Sequence, residues 1–375
     1  MPPNPDQIEI TLFGPGYGES VVVHLGNNHW IIIDSCIDSE TQQPAPLAYF
    51  QHIGIKPEEA VRLIIATHWH DDHIRGLSRI LSESKNARFC CSAALTHKEF
   101  LTTVLDYAAK PAMALTSGLK EIFEVYRELE ARSKPECHPI HAISNRNVFF
   151  LQSENSGHGF ECRVWTLSPS DSQYQKFLNN LTRLMPRVKG TKRRATVQGP
   201  NNVSVVTWIG IGDVALLLGA DLEEVEDVGL GWSVIVNSSE RPRGEASIFK
   251  IPHHGSKTAH NEMVWQQMVA KPNYSILSPY RHGPKKLPSP EDVERIMSYT
   301  AHGYSTSKMQ ISTSKKERPT EVIKTIRETV GKIRRVQPPT GWVRLRNGGR
   351  QAHDTWSVEL SGSACHLDQL YSTEQ

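Results

Sequence analysis

The sequence predicts a mixed α/β protein in which a series of short strands is followed by helices, twice along the chain. Three observations support this prediction. Apolar runs of strand length, rich in branched side chains, are separated by glycine, proline and asparagine. Apolar residues at helical spacing follow each series of strands. No change in composition divides the two halves, so residues 1–375 are interpreted as one domain.

The first half begins with consecutive strands joined by tight turns. These strands are predicted at Ile8–Phe13, Ser20–Leu25 and Trp30–Asp34. Helical spacing follows from Leu47 to Ile53, and a further strand is predicted at Val61–Thr67. Helical spacing resumes after this strand, at Ile74, Leu77, Ile80 and Leu81. The polar residues between the strand and this helix are therefore predicted to form a loop.

Two segments are interpreted as inserts. Residues 96–134 form an amphipathic helical region broken at Pro111 and Gly118. Its apolar stripe is expected to pack on the core, with a lid or a dimer contact as the alternative; the stripe comprises Leu115, Leu119, Ile122, Phe123, Tyr126 and Leu129. Residues 172–200 are polar and basic, and they interrupt the second series of strands.

The second half repeats the pattern of strands and helices. Its strands are predicted at Val164–Leu167, Val203–Ile209, Val214–Leu218, Ser247–Pro252 and Tyr274–Ser278, with closing strands at Trp342–Leu345 and Trp356–Leu360. A helix is predicted over Ser289–Thr300, because Ser289 can cap it, Pro290 fits the first helical position and Asp292 can complete a capping box.

Composition indicates an ordinary globular protein. The chain is 38% hydrophobic and 22% charged, and it contains no apolar run long enough to span a membrane. Because the N-terminus has no basic and apolar leader pattern, a cytoplasmic location is the default expectation. The six cysteines include no CxxC pair and are expected to be reduced and structural.

Positive charge is concentrated in two runs. From Lys308 to Arg350, twelve Lys and Arg stand against three Glu, which gives +9 in a chain whose net charge is +2. The other run contains no acid and comprises Arg187, Lys189, Lys192, Arg193 and Arg194. Such asymmetry favours a polyanionic partner such as nucleic acid, and a solvated helix face and loop are the alternative for either run alone.

The loop after Thr67 carries the residues with the clearest chemistry. Three imidazoles and a carboxylate occur within six residues, at His68, His70, Asp72 and His73. Neutral imidazole and carboxylate oxygen suit zinc, and manganese or iron remain possible. On a strand-to-helix loop, His68 and His70 can bind one ion while Asp72 and His73 turn toward a second ion about 3.5–4 Å away.

Several motifs resemble the metallo-β-lactamase superfamily. They are the HxHxDH loop, Asp34 at the end of an apolar strand, Asp221 after Leu216–Ala220, and His253-His254. More closely, the chain resembles the soluble hydrolase domain at the C-terminus of the DNA-uptake protein ComEC/Rec2. That resemblance rests on Gly14–Ser20, Ile33–Cys36, Pro200–Val206, Gly219–Glu223 and Pro252–Lys257.

The resemblance implies a four-layer αββα sandwich with a metal site at one edge. His68 and His70 would hold the first divalent ion, and Asp72 and His73 would hold the second. Asp221 would bridge both ions, and either His253 or His254 would complete the second site. Asp34 would lie beneath the metal loop and accept a hydrogen bond from a ligating histidine.

One position departs from the wider superfamily. Many members have another histidine about twenty residues before the bridging aspartate, whereas this chain has Asn201-Asn202 there. Asn202 is therefore expected to lie beside the first metal site. An amide oxygen is a weaker ligand than imidazole, so the first site is expected to bind loosely, to prefer manganese, or to fill only with substrate.

The leading hypothesis is a dinuclear metal-dependent phosphodiesterase or nuclease, in which hydroxide held by two ions attacks phosphorus. Asp72 and Asp221 are the candidate catalytic carboxylates. His282 follows a predicted strand and would protonate the leaving group or bind a phosphate oxygen, with a surface histidine as the alternative. The second hypothesis keeps the same metals, but the substrate is a small ester, a lactone or a cyclic nucleotide. A metal-stabilised binding module without turnover is the third.

Overall fold

The structure is a computed structural model. It describes residues 1–14, 16–96, 117–132, 138–153, 160–184, 200–282, 286–309, 339–348 and 355–372, together with residues 322, 325 and 329. Within these residues no helix is both long and apolar enough to cross a membrane. The basic run 187–194 and most of the run 308–350 lie outside the described residues.

The described residues form sixteen strands. They are β1 Ile8–Gly14, β2 Ser20–Gly26, β3 His29–Ile33, β4 Val61–Ala66, β5 Arg88–Ser92, β6 Ile140–Ala142, β7 Arg146–Ser153, β8 Phe160–Thr166, β9 Thr207–Ile211, β10 Val214–Leu218, β11 Ala246–Lys250, β12 Val269–Leu277, β13 His302–Ser305, β14 Gly341–Asn347, β15 Ser357–Ser361 and β16 Cys365–His366. The α-helices are Ala45–Ile53, Pro57–Ala60, Asp71–Ile74, Leu77–Glu83, Ser117–Ala131, Asp171–Leu184, Gly231–Val236, Glu262–Gln267 and Pro290–Met297.

The strands form two mixed sheets of eight. The first sheet has the order β15-β14-β1-β2-β3-β4-β5-β6, and the second has the order β16-β13-β12-β11-β10-β9-β8-β7. In the first sheet, β3, β4, β5 and β6 are parallel neighbours. In the second sheet, β10, β11, β12 and β13 are parallel neighbours. The carboxyl ends of parallel neighbours meet at one edge of a sheet, which is where loops can converge on a site.

Three apolar clusters place these sheets between helices. The central cluster joins residues of both sheets, for example Ile10, Ile31 and Ile65 with Ile209 and Ile248. The opposite face of the first sheet packs against helices; this cluster contains Trp30, Ile64, Phe89, Phe50, Leu81 and Ile122. The opposite face of the second sheet does the same; this cluster contains Trp208, Phe249, Trp232, Ile235, Trp265 and Ile296. The four-layer αββα arrangement is therefore confirmed.

Most of the predicted elements are present. The N-terminal strands, the strand before the histidine loop and the two closing strands are confirmed. The capping box is also present, since the Ser289 hydroxyl accepts from the Asp292 N–H and the Asp292 carboxylate accepts from the Ser289 N–H. Of the stripe predicted within 96–134, the described residues Ile122 and Leu129 are buried and pack in the core.

Several elements differ from the sequence prediction. The first part of the segment 172–200, which is interpreted as an insert, lies in the helix Asp171–Leu184, whose Phe177 is buried against Trp69. The strand predicted from Val203 begins only at Thr207, because Pro200–Val203 forms a 3-10 turn. Strands β6 and β7 were not predicted before Val164, and neither was the two-residue β16.

Candidate metal centre

The candidate metal centre lies where the two sheets bring the ends of several strands together. His68, His70, Asp72 and His73 follow β4, while Asp34 follows β3. From the second sheet, Asp221 follows β10, and His253 and His254 follow β11. Backbone hydrogen bonds join these loops, because the His253 N–H donates to the Ala220 carbonyl at 2.9 Å and the Ser35 N–H donates to the His73 carbonyl at 2.7 Å.

The side chains form two adjoining groups of metal-ligating atoms, and Glu19, His73 and Asp221 form a third group that overlaps them. One group is His68, His70 and Asp221, and the other is Asp72, His73 and His254; within each group the nearest ligand atoms lie within 4.8 Å of one another. In the first group, His68 Nε2 and His70 Nδ1 are 3.1 Å apart. Asp221 reaches the second group as well, since its Oδ1 is 3.3 Å from His73 Nε2. The expected ligands are thus brought together, and their assignment to two ions stays a prediction.

The structure separates the roles of the two consecutive histidines. His254 is buried, and its Nε2 lies 3.4 Å from Asp72 Oδ2 and 3.6 Å from Asp221 Oδ2. Its Nδ1 lies 2.9 Å from the Ser278 carbonyl, which favours a hydrogen on Nδ1 and a free lone pair on Nε2. His253 turns the other way, and its Nδ1 lies 2.9 Å from Glu223 Oε1. His254 is therefore the candidate ligand.

Backbone conformation explains how adjacent histidines point to opposite sides. His253 and His254 have positive φ angles of 46° and 54°, and Ala220 has a φ of 44°. Non-glycine residues rarely adopt this region, so consecutive examples store strain that the surrounding contacts must offset. Gly219 makes this approach possible, because a Cβ there would lie 2.9 Å from the Pro252 Cβ and 3.0 Å from the Lys250 carbonyl.

Asp34 anchors the histidine loop from below. Its Oδ1 accepts the Thr67 N–H at 2.7 Å, and its Oδ2 accepts the Thr67 hydroxyl at 2.7 Å. The same Oδ2 lies 2.8 Å from His73 Nδ1. Because a carboxylate only accepts, this contact places a hydrogen on His73 Nδ1 and directs Nε2 toward Asp221.

The asparagine pair is placed differently from the expectation. Asn202 is exposed, whereas Asn201 turns inward, and its Nδ2 lies 3.4 Å from His253 Nε2. The 3-10 turn Pro200–Val203 sends the two adjacent side chains in different directions. Counting back from Asp221 therefore selected the wrong member of the pair, and Asn201 is the residue beside the site.

A buried ion pair beneath the ligands was not predicted from the sequence. The Lys250 ammonium contacts the Glu19 carboxylate and donates to the Ala220 carbonyl at 3.0 Å, and both side chains are almost fully buried. Glu19 lies 3.7 Å from His73 Nδ1 and 3.8 Å from His254 Nδ1. A lysine within the apolar segment Ser247–Pro252 could have indicated this pair, since a lysine is almost never fully buried without a partner.

The electrostatics of the site are those of tightly packed imidazoles and carboxylates. Burial lowers the pKa of His68 well below its usual range, and His73 and His70 lower it further. Burial would also lower the pKa of His73, but the charges of Asp221 and Glu19 raise it well above its usual range. Burial would raise the pKa of Asp221, yet His73 and His254 hold it well below its usual range. Clustered perturbed groups of this kind are typical of functional sites.

The remaining predicted site residue lies at the rim. His282 is exposed, and its ring centroid is 4.7 Å from that of Tyr17. Tyr280 lies between this pair and the centre, with its ring 5.3 Å from the ring of His254. Neither tyrosine was singled out from the sequence, because a lone aromatic residue in a loop has no periodicity that reveals its neighbours. The five basic residues from Arg187 to Arg194 are outside the described residues.

The donor set fits divalent cations. Among the described residues, the buried atoms His73 Nε2 and Asp221 Oδ1 have no hydrogen-bond partner although they lie only 3.3 Å apart. Buried polar atoms normally have a partner, so two such atoms facing each other are an unsatisfied pair that a cation would satisfy. Imidazole and carboxylate ligands suit zinc and manganese, and this chemistry does not distinguish between them.

Comparison with known proteins gives a family match and several partial likenesses. Residues 13–169 match the family model described as the metallo-beta-lactamase superfamily. A segment of 59 residues is 39% identical to the alkyl/aryl-sulfatase BDS1 of Saccharomyces cerevisiae; it spans 16% of this chain and only 9% of that protein.

Two solved structures illustrate the structural likeness. The Cronobacter sakazakii metallo-beta-lactamase with the HARLDQ motif is 14% identical, with a TM-score of 0.33 and coverage of 64% of this chain and 73% of that chain. The metallo-beta-lactamase fold protein YhfI of Bacillus subtilis is 11% identical, with a TM-score of 0.30 and coverage of 65% of this chain and 70% of that chain. At these TM-scores neither likeness bears on the reaction.

Proposed function

We propose that the chain is a metallo-β-lactamase superfamily hydrolase that uses metal to cleave phosphodiesters, with nucleic acid as the substrate; the family model matches residues 13–169. The observation that supports this proposal is the meeting of two ligand groups at Asp221. A carboxylate shared by two cation sites suits the hydrolysis of a phosphodiester. In that reaction both the attacking oxygen and the leaving oxygen carry negative charge that a cation stabilises.

We assign the candidate ligands to two ions. His68, His70 and Asp221 would hold the first ion, and Asp72, His73 and His254, with Asp221 beside them, would hold the second. When bound, divalent ions of this kind polarise a phosphoryl oxygen and lower the pKa of water. The first group offers three protein donors, and a three-donor site leaves a position for water or substrate.

The protein's own contribution is to orient the donors before substrate arrives. Asp34 holds the His73 ring through Nδ1, and the Ser278 carbonyl holds the His254 ring through Nδ1. Both contacts direct Nε2 toward the centre. Asp72 is held near His254, and its backbone carbonyl accepts the Glu19 N–H at 2.8 Å. Such supporting hydrogen bonds typically change metal affinity or activity 10–100-fold.

The proposal of a nucleic-acid substrate rests mainly on charge. The run Arg187–Arg194 has no acidic residue and would contact phosphates without regard to base sequence. Part of the run 308–350 is already engaged within the fold, because Arg344 pairs with Glu359 and Arg346 Nε lies 2.8 Å from Glu9 Oε2. These two arginines are therefore removed from the candidate nucleic-acid contacts.

The narrower relationship to the ComEC/Rec2 hydrolase domain is also a proposal. Its support is the series of motifs from Gly14–Ser20 to Pro252–Lys257, and two of them gain a physical explanation from the structure. Glu19 Oε2 of the first motif lies 3.8 Å from His254 Nδ1 of the last. The two motifs thus meet at one centre.

A substrate panel tests the proposed function. Metal-free protein is reloaded with zinc or manganese and assayed on single-stranded DNA, duplex DNA, RNA, bis(p-nitrophenyl) phosphate and p-nitrophenyl sulfate. We expect metal-dependent hydrolysis of the phosphodiesters, with a nucleic acid preferred over the small ester. Hydrolysis of the sulfate alone, in line with the short sulfatase match, would overturn the phosphodiester proposal. Hydrolysis of the small phosphodiester without any nucleic acid would support the small-ester alternative instead.

A further inference from the structure

Three aromatic rings form a wall on one side of the candidate metal centre. Tyr17 lies in the turn between β1 and β2, and Tyr280 and His282 lie in the loop after β12. The ring centroids of Tyr17 and His282 are 4.7 Å apart, those of Tyr17 and Tyr280 are 6.0 Å apart, and those of Tyr280 and His282 are 6.4 Å apart. We call this group the aromatic wall.

The aromatic wall begins at a metal ligand and extends outward. The Tyr280 ring lies 5.3 Å from the ring of His254, on the side of the second ligand group. Tyr17 and Tyr280 are half-buried, and His282 is exposed. Neither tyrosine hydroxyl has a hydrogen-bond partner within the part of the chain that the structure describes. The wall therefore presents ring surface and two available hydroxyls beside the ligands.

The wall is held in place by contacts between its two loops. The Arg281 N–H donates to the Gly16 carbonyl at 2.8 Å, and the Arg281 side chain packs where a Cβ on Gly16 would lie. Gly16 has a φ of +88°, so glycine is needed there for conformation as well as space. Tyr280 and Leu287 exchange two backbone hydrogen bonds, at 2.8 and 2.9 Å. The rings are thus positioned before any ligand binds.

The surroundings of His253, next to the centre, are polar. They include Glu223 and Asn201, with Glu223 also within 3.4 Å of the Thr258 hydroxyl. A substrate whose reacting group sits at the metal ligands would therefore meet the rings of the wall as well as hydrogen-bonding groups. The rings of the wall suit a substrate that carries a planar aromatic group next to its ester, because that group can stack on them. Such stacking depends little on which planar group the substrate carries.

We propose that Tyr17, Tyr280 and His282 form a subsite that stacks against a nucleobase of the substrate. This assignment rests on the proposed function, because it places the phosphodiester at the ligand groups and one adjoining base on the wall. It predicts tolerance of base identity, since every base offers a π-face. It also gives His282 a binding role that does not require proton transfer.

The test compares two phosphates that differ only in the base. Binding of adenosine 5′-monophosphate and of ribose 5-phosphate to the zinc-loaded protein is measured by calorimetry. We expect the nucleotide to bind about tenfold more tightly or better, which is the range of one base–aromatic stack. Tyr17→Leu, Tyr280→Leu and His282→Ala should each reduce this ratio, whereas Tyr17→Phe and Tyr280→Phe should keep it.

The controls separate the subsite from folding and from catalysis. Tyr274→Leu removes a tyrosine that is not part of the wall. Its ring stacks on the ring of His302 with the centroids 4.8 Å apart, and its loss should leave the ratio unchanged. If a wall variant binds ribose 5-phosphate with unchanged affinity, it retains its fold and its metals. Because His282 is exposed, His282→Ala should have little effect on folding. Equal affinity of the native protein for both phosphates would overturn the subsite, even if phosphodiesters are hydrolysed. A retained ratio without phosphodiester hydrolysis would leave the subsite standing and refute the proposed function.

Discussion

Asp34 Oδ2 lies 2.8 Å from His73 Nδ1, and both oxygens of the same carboxylate accept hydrogen bonds from Thr67. One buried acid thus holds the end of β4 and the ring of a candidate ligand in a single arrangement. The positive φ of Asp34, at 58°, places its side chain under the loop that follows the neighbouring strand. The fold therefore orients His73 through a residue on a different strand.

Replacing Asp34 with Ala should weaken metal binding in the second ligand group. The His73 ring would lose the acceptor that orients it, and Thr67 would lose both of its hydrogen bonds to Asp34. We expect metal affinity to fall roughly 10–100-fold, measured by competition with a chelator of known affinity. Asp38→Asn changes an acid that is hydrogen-bonded to Thr41, Glu40 and Thr340 and not to a candidate ligand, and it should leave affinity unchanged. Equal losses in both variants would contradict the role of Asp34.

The buried pair of Lys250 and Glu19 should be costly to break from one side. Lys250→Met leaves the Glu19 carboxylate buried without its ammonium partner, and we expect a loss of about 3–5 kcal/mol in the free energy of unfolding. The double variant Glu19→Gln/Lys250→Met should recover part of this loss, because no unpaired charge remains. Urea denaturation of metal-free protein measures both.

The exposed pair of Lys56 and Glu59 supplies a matched control for that experiment. Its nitrogen–oxygen distance is 3.0 Å, but the two side chains are 76% and 64% exposed. Solvent screens such pairs, so Lys56→Met should change the unfolding free energy little. If Lys250→Met changed the free energy of unfolding as little as Lys56→Met does, the buried pair would not stabilise the centre.

The sequence was informative where periodicity and residue chemistry agree. The strand Val61–Ala66 and the histidine loop were predictable because an apolar run ends abruptly at consecutive ligand types. The choice between His253 and His254 was not predictable, since it depends on two consecutive positive φ angles that no residue type there requires. Asn201 was confused with Asn202 for a similar reason, because a 3-10 turn separates their side chains.

Other features were missed because they depend on contacts between distant segments. Glu19 and Lys250 are 231 positions apart in the sequence and meet only when β2 and β11 are brought together by the two sheets. Tyr17 and Tyr280 meet in the same way. The helix Asp171–Leu184 was available in the sequence, since Tyr174, Phe177 and Leu178 recur at helical spacing, but its many polar residues led to its interpretation as part of an insert.

Stability should depend on pH in opposite directions without and with metal. In the metal-free protein the pKa of His73 is raised above its unfolded value of about 6.5, so its stabilising contribution is complete below that pH and is lost as pH rises through the folded value. The lowered pKa of Asp221 contributes stability above about pH 3.9, which is lost only in stronger acid. Above about pH 7, where the lowered pKa of His68 no longer separates the folded from the unfolded state, metal-free protein should therefore lose stability as pH rises toward 9.

Metal binding reverses the trend because protons compete with cations for the imidazole nitrogens. The stabilisation added by zinc should increase between pH 6 and pH 8. Thermal unfolding at each pH, with chelator and with zinc, compares the two states. A metal-free protein that gains stability as pH rises from 7 to 9 would contradict the protonated His73 on which the prediction depends.

The basic run should act on nucleic acid and not on small esters. Neutral substitutions at Arg187, Lys189, Lys192, Arg193 and Arg194 should weaken nucleic-acid binding similarly for all base sequences. Each lost phosphate contact should reduce the slope of log affinity against log salt by about 0.7–0.9. Hydrolysis of bis(p-nitrophenyl) phosphate should change little. Equal loss on both substrates would indicate a structural role for the segment, and no loss on either would remove it from the proposed interface.

The most direct test of the two-ion account is the metal content of Asp221→Ala set against its activity. Asp221 adjoins both ligand groups, so its removal should reduce bound zinc from two ions to about one per chain by elemental analysis and abolish most phosphodiester hydrolysis. Asp213→Ala, in the exposed turn between β9 and β10, should retain both ions and full activity. Full metal content and full activity in Asp221→Ala would contradict the account.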